Sequence, residues 1–190
     1  MSKMTERIVR EMKDSRSVRE RLKEDNEIYR QNGNRALRED TALNGQHPCA
    51  VIICCSDSRV IPEQIFSADI GELFVIRVAG NVLGPHQMGS IEYAVAHLGC
   101  KLVVMLGHTG CGAVSAALSG HGDGFISFIV DDILKAVGQE RDPDRACRMN
   151  VMHGVATIRQ TFADHPEMDG MAVKGAVYDI MTGVVEWLED

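Results

Sequence analysis

The stretch CAVIICCSDSRV, residues 49–60, is the key to this chain. Its first half, CAVIIC (49–54), is a short continuous apolar run of the kind that forms a strand covered on both faces of a parallel sheet. Its second half ends that strand with two adjacent cysteines, then an aspartate and an arginine two residues apart. Working outward, LFVIRVAG (73–80) and KLVVMLG (101–107) are further β-rich runs, the latter stopped by glycine. Between them GSIEYAVAHLG (89–99) carries Ile91, Ala94, Val95 and Leu98 at helical spacing. GAVSAALSG (112–120), FISFIVDDILKAVGQ (125–139) and NVMHGVATIRQTFADHP (150–166) read as helices, the last ended before Pro166. MAVKGAVYDIMTGVVEWLE (171–189) alternates, with MTG as a turn between strands. This strand–helix alternation predicts an α/β fold, a mostly parallel central β-sheet flanked by helices.

Residues 1–40 differ in character. They are rich in both charges and carry Ile8, Val9, Met12, Val18, Leu22, Ile28 and Tyr29 at helical spacing, with Ser15 or Ser17 as a cap. They read as an N-terminal helical arm, followed by an α/β domain over 41–190. The sparse apolar face of the arm suits its own domain or a partner subunit. No internal repeat or low-complexity linker interrupts the chain.

At 190 residues the chain is long enough to bury a sizeable core, and its 45% hydrophobic and 25% charged residues are ordinary for a soluble protein. A net charge of -7 argues against nucleic acid or an anionic membrane as partner. No apolar run approaches the ~20 residues that span a bilayer. The N-terminus has neither the apolar core of a signal peptide nor the acid-poor composition of a transit peptide, so a cytoplasmic location is expected. In that reducing compartment the six cysteines (Cys49, Cys54, Cys55, Cys100, Cys111, Cys147) are not a disulfide framework.

In parallel α/β sheets, ligands bind beyond the carboxyl ends of the strands. The first strand ends in CCSDSR and the strand at 101–107 ends in GHTGCG, where His108 and Cys111 can present imidazole and thiolate to one point. If the two strands are neighbours, Cys54 or Cys55 joins them. Two thiolates and one imidazole suit tetrahedral Zn²⁺ and leave one position open, which is the mark of a catalytic site. A water there would ionise near neutral pH. Asp57 could orient the resulting hydroxide, and Arg59 could hold Asp57 ionised. Other chemistries fit less well. A phosphatase-type cysteine loop needs an arginine where Val60 or Ile61 stands, a Cys-x-x-Cys pair is absent, and GHTGCGAVS lacks the third glycine of a dinucleotide loop.

CSDSRV followed by HTGCG resembles the β-class carbonic anhydrase signature, Cys-x-Asp-x-Arg then His-x-x-Cys. GQHP, GELFVIRVAGN, GSIEYAV and VKGAVYDIMTGVVEWL resemble family segments in the same order, from about Leu22 to the C-terminus. The resemblance implies that Cys55, His108 and Cys111 ligate one zinc ion per subunit and that Asp57 and Arg59 form the catalytic dyad. It implies substrate contacts at Gln46, Phe74, Ala79, Tyr93 and Gly112. The activity implied is reversible hydration of CO2 to bicarbonate and a proton by zinc-hydroxide attack; relatives that hydrolyse COS or CS2 share the fold. A bicarbonate-inhibited subgroup has tryptophan three residues before the first zinc cysteine. Here Ile52 stands there, and the only tryptophan is Trp187. With Gln46, this resembles the open, plant-like form. His121 is a proton-shuttle candidate by sequence proximity alone. The family's building block is a dimer whose N-terminal helices embrace the partner and whose sites borrow residues across the interface, so a homodimer or homotetramer is implied. Because successive strand residues face opposite ways, Cys54 should pack inside the sheet while Cys55 faces the metal.

Overall fold

Strand β1 (Ala50–Cys54) is buried along its whole length and lies second in a five-stranded sheet. The computed structural model describes residues 15–189. The expectations for Ile8, Val9, Met12 and the Ser15 side chain lie outside what is described. Strand β2 (Leu73–Arg77) pairs parallel to one edge of β1, and β3 (Leu102–His108) parallel to the other. β4 (Ala172–Tyr178) continues the parallel sheet beside β3, and β5 (Val185–Leu188) closes it antiparallel through the 180–182 turn. The order β2-β1-β3-β4-β5 has a direct consequence. The chain leaves β1 towards β2 but leaves β3 towards β4, so the connections diverge between β1 and β3. That divergence opens a crevice at their carboxyl ends, where ligands bind in such sheets.

Three apolar clusters hold this sheet in place. Val51, Ile53, Val103 and Met105 meet α4 (Pro85–Ala96) and α7 (Pro143–Thr161) through Ile91, Val95, Val151, Val155 and Ile158. The opposite face gathers Ala50, Ile52, Cys54, Val104, Leu106 and Ala176, with Ile65 of the short α3 (Pro62–Ile65) against it. The third cluster lies under α5 (Gly112–Ser119) and α6 (Ile126–Val137): Val114, Ala117, Val130 and Ile133 enclose Cys55 and Cys111. Each fully buried isoleucine contributes about 1.5–3 kcal/mol. Helix α7 sits close to β3 because residue 107 is glycine: a Cβ there would lie 2.6 Å from Val151 Cγ2 and 2.9 Å from Cys147 Sγ.

Several helix ends differ from the periodicity. α4 begins at Pro85 rather than Gly89, because proline at its first turn and the Gln87 side chain, which accepts from Gly84 N at 3.1 Å, start it early. α7 spans Pro143–Thr161 rather than 150–166. Asp142 caps it by accepting from Arg145 N at 2.8 Å, and Pro143 opens the first turn. β2 stops at Arg77, where Ala79–Asn81 form a tight 3-10 turn with Gly80 at φ 67°. The N-terminal unit, which ends at Gly45, contains α1 (Ser15–Asn32) and α2 (Arg35–Asn44). Asn34 caps α2, and the Arg38 guanidinium lies 4.8 Å from the centre of the Tyr29 ring. Leu22, Ile28 and Tyr29 are exposed on α1.

Candidate metal centre

Cys55 directly follows β1, His108 closes β3, and Cys111 immediately precedes α5. Because β1 and β3 are neighbours, the crevice between them brings the three residues together. One ligand atom from each lies within 4.8 Å of the other two, and all three residues are buried. The two sulfurs are 4.0 Å apart. Two thiolates about 2.3 Å from one tetrahedral ion would be separated by roughly 3.8 Å.

His108 is fully buried, and its Nδ1 donates to the Thr109 carbonyl at 3.0 Å, since a carbonyl can only accept. That bond fixes the tautomer and leaves a lone pair on Nε2, which is buried without a hydrogen-bond partner. A buried polar nitrogen left unpaired costs about 1–3 kcal/mol, so it needs an occupant. Metal-ligating histidines hold their second ring nitrogen in this way. The donor set and the orphaned Nε2 therefore fit zinc.

The surrounding groups favour the thiolate of Cys55. Gly80 N and Asp57 N donate to its sulfur at 3.3 and 3.4 Å. Its thiol is held well below the usual range, first by the hydrogen bond from Cys111 and then by His108 and those two amides, with burial opposing. The same bond pushes Cys111 up, reinforced by burial, while the Val114 and Ala113 amides pull the other way. Burial works against a charged His108, but the nearby Cys55 sulfur, the Thr109 carbonyl and the charge of Asp57 outweigh this and raise the imidazole. Cys54, one residue away, is pushed up to about 12 by burial.

Asp57 and Arg59 form a bidentate pair. Arg59 Nε donates to Oδ1 at 2.9 Å and Nη2 to Oδ2 at 2.7 Å, with the Arg59 amide on Oδ1 at 3.0 Å. The Arg59 guanidinium holds the Asp57 carboxyl well below the usual carboxylate range. Asp57 is 17% exposed against 55% for Arg59, so the carboxylate is on the inner side of the pair. Ala79 precedes the Gly80 amide, and Gly112 follows Cys111, so both adjoin groups of the cluster in the chain.

Gln46, Phe74 and Tyr93 do not join the cluster within one chain. Phe74 pairs with Val51, four residues before Cys55, or roughly 13 Å along a parallel strand. Tyr93 packs against Phe74 with ring centres 6.2 Å apart and is 48% exposed. Gln46 precedes β1 and is exposed. His121 is also exposed, its Nδ1 2.9 Å from the Ser119 hydroxyl. Four contributors escaped sequence reasoning. Arg77 donates to the Cys55 carbonyl at 3.3 Å and the Asp57 carbonyl at 2.7 Å, tying down the CCSD loop. Gly80, Cys147 and Asn150 act through hydrogen bonds between segments distant in sequence. For Arg77 the available signal was a charge ending a strand of apolar residues.

A mostly parallel α/β sheet that gathers two cysteines and a histidine at its switch point defines a class of proteins with a candidate cysteine–histidine–cysteine metal site. Comparison with known proteins narrows that class. The family described as "Carbonic anhydrase" matches residues 50–185. Carbonic anhydrase 2 of Mycobacterium tuberculosis is 49% identical over 94 residues, which span 49% of this chain and 45% of that protein. A carbonic anhydrase of Mycolicibacterium smegmatis is 34% identical over 162 residues, covering 78% of this chain and 79% of the relative. The β-carbonic anhydrase CafA of Aspergillus fumigatus superposes with a TM-score of 0.74 at 28% identity, over 92% of this chain and 90% of that one. One of two tetrameric β-carbonic anhydrases of Sordaria macrospora gives 0.69 at 28% identity, over 92% and 95%. The chain belongs to the carbonic anhydrase family.

Proposed function

We propose that this chain is a zinc enzyme of the open, plant-like form that interconverts CO2 and water with bicarbonate and a proton. The observation that carries this reading is the buried, unpartnered His108 Nε2 facing two cysteine sulfurs beside a carboxylate fixed by arginine. Zinc held by Cys55, His108 and Cys111 would act as a Lewis acid, lowering the pKa of a water towards ~7. Two thiolates weaken that effect by donating charge. The Gly80 and Asp57 amides counter it by drawing charge from the Cys55 sulfur.

Asp57, acceptor-only while ionised, takes a hydrogen bond from the attacking water and turns its lone pair towards the carbon of CO2. Arg59 occupies both carboxylate oxygens, which keeps Asp57 charged and keeps it from serving as a fourth ligand. Ala79 and the Gly112 backbone border the place where CO2, a small uncharged molecule, is held in a narrow apolar pocket. Gln46, Phe74 and Tyr93 complete the site of a partner subunit in a homodimer, a role supported by the exposure of Gln46 and Tyr93 and by the distance of Phe74 from the cluster of its own chain. The arm over residues 1–40 embraces that partner, and dimers can pair into a tetramer. Among the described residues no helix is long and apolar enough to cross a membrane. The compartment we propose is the cytoplasm, whose reducing conditions suit a centre built on two thiolates.

Metal analysis with stopped-flow CO2 hydration at pH 8 tests the proposal. One zinc per chain is expected, with hydration falling about 100-fold or more in Asp57→Asn while zinc is retained. Stoichiometric zinc without hydration by the wild type sinks it.

A further inference from the structure

Helix α7 reaches both ligand-bearing segments with two buried side chains one turn apart. Asn150 Nδ2 donates to the Gly80 carbonyl at 2.9 Å, and Cys147 Sγ donates to the His108 carbonyl at 3.3 Å. Positions i and i+3 share one helix face, so a single rigid element touches the loop behind Cys55 and the end of β3 together.

The Gly80 contact has a specific geometric effect. Gly80 N donates to the Cys55 sulfur at 3.3 Å, and the Gly80 carbonyl lies on the next peptide group. Between these two groups is a glycine at φ 67°, ψ 13°, a residue that on its own leaves the relative orientation of its two peptides loose. No larger residue can stiffen the turn, since a Cβ would sit 2.8 Å from Ile133 Cδ1 and 3.0 Å from Ala113 Cβ. The restraint therefore comes from outside the turn. Asn150 is only 5% exposed, so the amide hydrogen it gives to Gly80 cannot be replaced by bulk water without opening the core.

We propose that Asn150 is a positioning residue of the metal centre, aiming the Gly80 amide at the Cys55 sulfur, and that Cys147 does the same for the strand end bearing His108. The inference deepens the reading of Cys55, His108 and Cys111 as zinc ligands and rests on it. An amide donor moderates a thiolate's electron donation and directs its lone pairs, so losing its aim weakens and alters the sulfur–metal bond. Partners in this outer layer typically govern about 10- to 100-fold in metal affinity.

The test is zinc affinity by chelator competition, together with the thiolate-to-cobalt charge-transfer band of the Co²⁺-loaded protein. Asn150→Leu retains volume and removes the donor; Asn150→Ala removes both. Each is expected to keep its helical circular dichroism, bind zinc about 10- to 100-fold more weakly and shift the cobalt band. Cys147→Ala should lose affinity more modestly, because a thiol is a weak donor, and Cys147→Ser should restore it through its hydroxyl. Wild-type affinity and an unchanged cobalt band in the Asn150 variants would overturn the proposal. If Asn150→Leu fails to fold, Asn150→Ala and the Cys147 pair decide by the same readouts. A wild-type protein lacking any charge-transfer band would overturn the zinc reading itself. A wild-type band that none of the variants alters would overturn only the role of α7.

Discussion

On one side of the β1 terminus, Cys54 packs with Ala50, Ile52, Val104 and Leu106, and burial pushes its thiol up to about 12. On the other side, Cys55 faces Cys111, accepts amides from Gly80 and Asp57, and is pulled below the ordinary thiol range. The two residues are chemically identical and adjacent. Both are buried, so burial alone does not separate them. The difference is what the surroundings offer the charged form: hydrocarbon for Cys54, directed donors for Cys55.

Substitution is the strongest way to break this contrast. Cys55→Ser should abolish stoichiometric zinc and CO2 hydration together, whereas Cys54→Ser should retain both, as read by metal analysis and stopped flow. The reverse pattern would mean that the ligand is the other cysteine. A second experiment asks whether the crevice is complete in one chain. Gln46→Ala and Asp57→Asn dimers, each impaired alone, are mixed under subunit exchange. In a two-fold dimer whose sites take Gln46 from the partner, one site of each mixed dimer is intact, and activity should return to roughly a quarter of wild type. No recovery would assign Gln46 to its own chain's site or to none. The smallest effect concerns alkaline stability. With a folded pKa above its unfolded value, Cys54 stays protonated in the fold while the unfolded chain loses that proton first. Its contribution therefore declines as pH rises above ~9, by at most about 1.4 kcal/mol per pH unit, until the folded thiol also ionises. Cys147, pushed up to about 11, behaves likewise. Denaturation between pH 9 and 11 should show a shallower decline in Cys54→Ala. Cys55, held below the ordinary thiol range in the fold, should add no decline over that range.

The contrast also explains what was legible in the residues alone. CAVIIC carries its own signature, since a strand buried on both faces must be apolar throughout, and the Cys-x-Asp-x-Arg and His-x-x-Cys spacings are local. The convergence of Cys55, His108 and Cys111 depends on β1 and β3 being neighbours, which strand–helix alternation permits but does not impose. Helix ends shifted where Asp142-Pro143 and Gly84-Pro85 started helices earlier than the apolar periodicity. Gly80, Cys147 and Asn150 left no local trace, and Arg77 only a charge at a strand end, because each acts through a hydrogen bond to a residue 20 or more positions away. Gln46, Phe74 and Tyr93 carry a pattern that only the family resemblance interprets, for a single chain gives them no shared site.

Zinc K-edge X-ray absorption of the purified protein tests the central claim most directly. The account predicts one zinc per chain with two sulfur neighbours at about 2.3 Å and two nitrogen or oxygen neighbours at about 2.0–2.1 Å, the sulfur count dropping to one in any Cys55→Ser protein that still loads metal. A zinc shell without two sulfurs, or a wild-type protein that takes up no zinc, would contradict it.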